Sequence, residues 1–401
     1  MITEKLHEIV WNRYIRMPYG HLLDYAEVNG NVEIPTKEEC EKKLPNAMGF
    51  ITPIADCAFF GGLYVYGLCE KYDICPSDKL KEQINLMIDG LLLLCDVSKV
   101  DGFIARGVAD DGITHYPTTT IDQVGPWIIG LWRVLNSKIN DQQIERKIKE
   151  RLCRTINGLI KNNWQIPLEW ENENLGDLKQ KDWREICQVL LIAKVAENLG
   201  LITSEEYNEM LLGTPEGSIY NRLEIASNGY SADMIKNTAL IQFWITIPAQ
   251  LALRELANLD KENANLYLTG LKKNGADAVA FFDDYIDYNK DNLSYNYNWR
   301  ELIPEIRPYT TFKEAFNEAY RLNGLWSAKY GELKKIERLT IAQSIFACWI
   351  AVVSTDKKAM DFAYKTLIDM ANTVDFDKMG QSFVFAIESA LYSYEKINKK
   401  N

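Results

Sequence analysis

The chain has 401 residues, 47% hydrophobic and 25% charged, with 45 Lys and Arg against 56 Asp and Glu and a formal net charge of -11. That balance offers no basic patch to neutralise phosphates or to dock on anionic lipid, so the reading is a protein with no nucleic-acid and no membrane partner. A chain this long can bury a large core, and no run of 18 apolar residues is present to form an ordinary membrane-spanning helix.

The first segment, MITEKLHEIVWNRYI, carries charges throughout and lacks the apolar centre of a secretory signal. A cytoplasmic protein is therefore expected, with a piece of an exported protein as the alternative. The eight cysteines form no CxxC pair and sit mostly within apolar helical patterns, which suits reduced thiols. Helical periodicity predicts helices over 2–16, 53–73, 77–97, 122–137, 141–163, 181–200, 203–212, 233–256, 261–282, 311–323, 337–354, 356–372 and 379–398. Convincing strand alternation is nearly absent.

Two kinds of helix alternate. One is polar and lysine-rich, such as the segment from Asp141; the other is apolar on most faces, such as those from Ile54 and Asn237. A helix apolar all round is normally buried and an amphipathic one lies outside it. Six apolar segments begin near Pro53, Asp122, Lys181, Asp233, Glu337 and Met379, which suggests six helical hairpins closed in a ring, an all-α (α/α)6 toroid. No linker divides the chain, so one domain over 1–401 is expected, with an aromatic and acidic loop insertion near 281–310. An open solenoid would usually show a sequence repeat, and none is visible.

In such a ring the inner helices present one end to a central funnel, and Asp56, Asp122, Asp182 and Asp233 recur where they enter it. Each also suits a helix cap, because a carboxylate satisfies orphan N–H groups and the dipole. Asp122, ahead of Trp127 and Trp132, is the first candidate, since carboxylates beside aromatic rings are what glycosidic cleavage uses. Against this, both tryptophans suit the core. Asp56 is the second candidate. An unpaired charge in its apolar surroundings is costly, and a raised pKa is what a general acid needs. Glu169 is the third, between Trp164 and Trp170 in a loop-like segment that could equally lie on the surface.

His115 and Tyr116 follow Gly112 in a turn-rich stretch, and His21 shares a segment with Asp24 at a spacing that lets the two meet. Arg106 could clamp a carboxylate or hydroxyl-rich ligand, or pair with Asp101, Asp110 or Asp111. Three histidines in all make a multi-histidine metal site implausible, so no metal is expected. In the insertion, Asp283 to Asp287 spells DDxxD but has no second metal motif downstream. Asp287, Asn289 and Asp291 begin a calcium-loop pattern that fails at Asn292 and Asn298. A loop capping the funnel and offering Tyr295, Tyr297, Trp299 and Arg300 to a sugar fits better. Phosphate-binding, dinucleotide, serine-hydrolase and zinc-protease signatures are absent, so no cofactor is expected.

The stretches MPYGHLLDYA (17–26), PNAMGFITPIADCAFFGGLY (45–64) and DGFIARGVADDGITHYP with DQVGPWIIGLW (within 101–132) resemble bacterial glycosyl hydrolases of the six-hairpin-glycosidase-like group. The likeness is good over roughly residues 14–135 and rests on helix pattern alone beyond them. It implies the toroid fold and a funnel lined by His21, Asp56, Arg106, His115, Tyr116, Asp122 and Gln123. It also implies carbohydrate metabolism, and fold alone does not fix activity. The expected function is a glycoside hydrolase acting on a glycoside or oligosaccharide. Asp56 and Asp122 would be its acid and base, with Glu169 in reserve, and Arg106, His115, Tyr116, Trp127, Trp170, Trp299 and Arg300 would orient the sugar. Two alternatives stand beside it. One is a lyase on a uronate-containing glycan, with Tyr116 or His115 as base and Arg106 on the carboxylate; the other is a glycan-binding protein without chemistry.

Overall fold

The segment after Asp141 displays how an outer helix is specified. The Asp141 carboxylate accepts from the backbone N–H groups of Gln143 and Ile144, satisfying two orphan donors. Ile144, Ile148, Leu152, Ile156 and Leu159 then fall buried at three- and four-residue spacing, with lysines and arginines between them at the surface. The segment after Asp56 follows the other pattern, and every residue from Cys57 to Lys71 is buried.

A computed structural model describes residues 2–180, 182–213, 221–230, 243–280, 297–305 and 311–399. These are mostly helical, as the periodicity predicts. The helices are α1 (Ile2–Arg13), α2 (Lys37–Glu41), α3 (Cys57–Ile74), α4 (Asp78–Asp96), α5 (Ile121–Leu135), α6 (Gln142–Lys161), α7 (Trp183–Asn198) and α8 (Ser204–Leu212). They continue with α9 (Arg222–Asn228), α10 (Phe243–Leu259), α11 (Ala264–Ala280), α12 (Phe312–Lys334), α13 (Gln343–Val352), α14 (Lys357–Thr373) and α15 (Val384–Lys399). A π-helical turn, Lys335–Ala342, runs into α13. Among the described residues, four short strands form two antiparallel pairs: β1 (Ile15–Arg16) with β2 (His21–Leu22), and β3 (Gln165–Pro167) with β4 (Asn174–Asp177). No helix among the described residues is long and apolar enough to cross a membrane.

The all-round apolar helices pack in order: α3 on α5, α5 on α7, α7 on α10, α10 on α13, α13 on α15, and α15 back on α3. Helices α4, α6, α8, α9, α11, α14 and α1 pack against these six. The α3–α5 contact is made close by glycine. A Cβ on Gly62 would sit 2.3 Å from the Pro126 carbonyl oxygen, and one on Gly130 would sit 2.3 Å from the Gly62 carbonyl oxygen, so the two backbones meet where no side chain fits. One contiguous apolar core draws on all six of these helices.

Two of these helices begin later than expected. Helix α3 starts at Cys57 rather than Pro53, because the Pro53 carbonyl accepts the Asp24 N–H at 2.9 Å and so belongs to a loop. Helix α15 starts at Val384 rather than Met379, because the preceding residues dock on the N-terminal segment. Ala26 N–H donates to Gly380, Ser382 N–H donates to the Asp24 carbonyl, and Tyr25 bridges to Gln381. The expected helix start at Asp233 and the DDxxD and calcium-like strings lie outside the described residues.

Candidate functional site

A cavity of about 180 Å³ lies at the N-terminal ends of α3, α5 and α10. Its acids are Asp24, Asp56 and Asp122, its cations Arg106 and Arg338, and its rings Tyr25, Phe50, Trp244 and Trp326; Asn323 and Gln381 add amides. Tyr25, Phe50, Ile51 and Trp326 come from a second, smaller apolar cluster built on Trp299, Tyr297 and Tyr330. Residues from near the start of the chain, its middle and close to its end therefore share one wall.

Asp56 occupies the cap position of α3, yet its side chain makes no capping hydrogen bond. Its Oδ1 instead accepts from Arg106 Nη2 at 2.8 Å and Gln123 Nε2 at 2.7 Å. Gln123 in turn accepts from the Phe59 N–H, so one amide ties α5 to the first turn of α3. Arg106 donates from all three of its nitrogens. Its Nε donates to the Ala55 carbonyl at 2.6 Å and its Nη1 to Thr120 Oγ1 at 3.1 Å, and its guanidinium lies over the Phe50 ring. It is a clamp on the protein itself, with each of its three nitrogens already donating once.

Asp24 lies beside this clamp, its Oδ1 accepting the Asp56 N–H at 2.9 Å. Burial, and next the charge of Asp56, push its carboxyl well above the usual carboxylate range; Arg338 and Arg106 oppose them without prevailing. Asp122, in the first turn of α5, is raised for the same two reasons in the same order. Its side chain accepts no hydrogen bond among the described residues, which leaves its oxygens available. Pro126 lacks the N–H that would bond the Asp122 carbonyl, and Pro248 lacks the one that would bond Trp244. Asp182 behaves as an ordinary cap on α7, accepting from the Arg184 N–H at 2.9 Å.

The remaining sequence candidates lie apart from this cavity. His21 points to the Gly90 carbonyl at 3.1 Å, and its burial lowers its pKa to about 4, so it is a neutral structural group. His115 pairs with Glu169 at 3.0 Å, and Glu169 also accepts from Ser98. Burial alone would lower His115 and raise Glu169; their mutual attraction outweighs it, raising the imidazole and lowering the carboxyl. Tyr116 is buried and donates to the Leu44 carbonyl. Trp127 is core and donates to Leu91, and Trp170 is half-buried under the Lys43 ammonium. Trp299 donates to the Glu33 carbonyl, while Arg300 pairs with Glu33 and Glu39, so both fasten the insertion to the N-terminal segment.

Sequence reasoning missed Arg338, Trp244 and Trp326, and it read Asp24 only as a partner for His21. The one available signal was the shared spacing of Asp122–Pro126 and Trp244–Pro248.

A slightly larger cavity of about 220 Å³ lies toward the opposite, C-terminal ends of α3, α5 and α10. There the charges satisfy one another: Glu70 accepts from Arg133 at 2.8 Å, Arg254 at 2.9 Å and Lys396 at 3.2 Å. Among the described residues no group of three or more His, Cys, Asp or Glu is arranged to hold a metal ion. Comparisons with models of protein families, with curated proteins and with solved structures found no match.

Proposed function

We propose that the chain is a six-hairpin (α/α)6 toroid of the six-hairpin-glycosidase-like kind, and that it hydrolyses a glycoside or oligosaccharide in the cavity at the N-terminal ends of its inner helices. The cycle of contacts from α3 through α5, α7, α10, α13 and α15 back to α3 supports the ring. The observation that carries the activity is the gathering of three carboxyls with four aromatic rings in one cavity, two of those carboxyls held above their ordinary range.

Asp24, whose carboxyl burial and the charge of Asp56 push well above the usual range, is the acid that gives its proton to the leaving glycosidic oxygen as the bond from the anomeric carbon breaks. Asp122, with free oxygens, takes a proton from the water whose oxygen bonds to that carbon. Burial keeps Asp24 and Asp122 raised, and Asp56, pinned by Arg106 and Gln123, adds its negative charge to that effect. Tyr25, Trp244 and Trp326 offer apolar faces to the sugar ring.

The test is turnover on a panel of aryl glycosides and oligosaccharides by the wild type, Asp24→Asn and Asp122→Asn, with unfolding midpoints measured alongside. Each variant is expected to lose roughly a hundredfold or more in turnover while staying folded. Hydrolysis that survives both substitutions, or a panel wholly untouched by the wild type, overturns the reading.

A further inference from the structure

We infer that the sugar held in this cavity carries a carboxylate, as a uronic acid does, and that Arg338 is the residue that reads it; the inference rests on the glycosidase reading above. The two cavity guanidiniums are in opposite situations. Arg106 spends all three nitrogens on Ala55, Thr120 and Asp56. Arg338 makes no hydrogen bond or ion pair among the described residues, and its Nε is buried with no acceptor.

Arg338 lies 4.5 Å over the ring of Trp244, which is 9% exposed and whose Nε1 is also buried without an acceptor. Both residues line the cavity, and each carries one buried donor without an acceptor. Buried donors are normally paired, and the half-buried Arg338 has no ion-pair partner among the described residues. Asp24 senses the charge of Arg338, yet the two form no ion pair. An anionic acceptor in the cavity completes this wall. Arg presents a planar fork that matches a carboxylate, and stacking on Trp244 holds the fork in place. The fork rises from the π-helical turn before α13, a distortion common at functional sites.

The experiment measures binding to the full chain, by calorimetry and tryptophan fluorescence. The probes are methyl glucuronoside and methyl galacturonoside, their C6 methyl esters, and methyl glucoside and galactoside. The free acids are expected to bind roughly ten- to hundredfold more tightly than the esters, and Arg338→Gln is expected to abolish that preference while leaving ester affinity in place. Arg338→Lys, which keeps a charge but loses the planar fork, is expected to retain part of it and guards against a folding failure in the first variant. Equal binding of acid and ester by the wild type overturns the inference and leaves the glycosidase reading standing. A preference that persists in Arg338→Gln overturns it too, since another cation then reads the acid. Failure of every sugar to bind removes both readings.

Discussion

Replacing Arg106 with methionine keeps most of the side-chain volume and removes the charge, which strands the Asp56 carboxylate. Arg106 is 5% exposed and Asp56 9% exposed, so this pair sits out of water. Removing one partner of a buried ion pair costs about 3–5 kcal/mol, because the other charge is left uncompensated. The Ala55 carbonyl, itself buried, loses its Nε donor as well, which adds about 1 kcal/mol. The expected loss is about 4–6 kcal/mol, a large share of the roughly 5–15 kcal/mol that holds a typical protein folded. Urea unfolding followed by circular dichroism measures it, with Arg151→Met as the control. Arg151 pairs with Asp96 and Glu150 at the surface, where such pairs contribute about 1 kcal/mol or less. Adding Asp56→Asn to Arg106→Met removes the stranded charge and should recover part of the loss. A cost for Arg106→Met no larger than the control's, or no recovery in the double variant, would refute the clamp.

Asp56→Asn alone should lower the carboxyls of Asp24 and Asp122 without bringing either to its ordinary value. Burial is the larger cause in both, and the charge of Asp56 comes next. Carbon-13 carboxyl titration by NMR reads this directly, and unmoved resonances would mean that burial acts alone. At the other end of the helices, burial would raise Glu70, but Arg254, Arg133 and Lys396 bring it from 4.5 down to about 2. A folded-state pKa below the unfolded one stabilises above pH 4.5 and is lost as pH falls from there toward 2, by roughly 3 kcal/mol. Glu70→Gln should flatten acid unfolding across that window, and an unchanged slope counts against the assignment. Gly62→Ala places a Cβ against the Pro126 backbone and should cost on the order of 1–3 kcal/mol or more. Gly324→Ala, with nothing within 4 Å inside α12, should instead gain up to about 1 kcal/mol. Equal effects in thermal melts would contradict the close approach of α3 and α5.

Much of the helical layout can be read from the chain because burial leaves a periodic trace. Residues 57–71 are apolar nearly throughout, whereas Ile144, Ile148 and Leu152 repeat at one helical turn. Asp56 and Asp122 were legible for a related reason. A carboxylate at the start of an apolar helix is costly unless it caps, pairs or stays protonated, and neither makes a capping hydrogen bond. The rest of the cavity leaves no local trace. Asp24 is set by hydrogen bonds to Pro53 and Ser382, one nearby and the other near the end of the chain. Arg338 gains its meaning only from the tryptophan beneath it, more than ninety residues earlier in the sequence. Density of reactive residue types also misleads. Asp101 to Tyr116 looks like an active site, yet His115, Glu169 and Tyr116 are consumed in holding their own loops to one another, and of that group Arg106 alone reaches the cavity.

The two ends of the same inner helices make opposite use of charge, and that contrast carries the functional argument. Toward the C-terminal ends, Glu70 and Asp73 are matched by Arg133, Arg254 and Lys396, and both carboxyls are pulled down to about 2, as a network that only stabilises should be. At the N-terminal ends, three acids meet two guanidiniums. One of those is committed to Asp56, and Asp24 and Asp122 are left raised. A helix N-terminus ordinarily favours a charged carboxylate, so raised values there run against the local dipole and need burial and a like charge to sustain them. Holding carboxyls above their ordinary range and leaving a guanidinium unpaired costs stability, whereas the carboxyls at the other end of the same helices are ion-paired and lowered. Strain of this kind persists where a ligand relieves it, and under the proposed reading a hydroxyl-rich, anionic sugar would supply an acceptor to Arg338 and a leaving oxygen to Asp24 in one binding event.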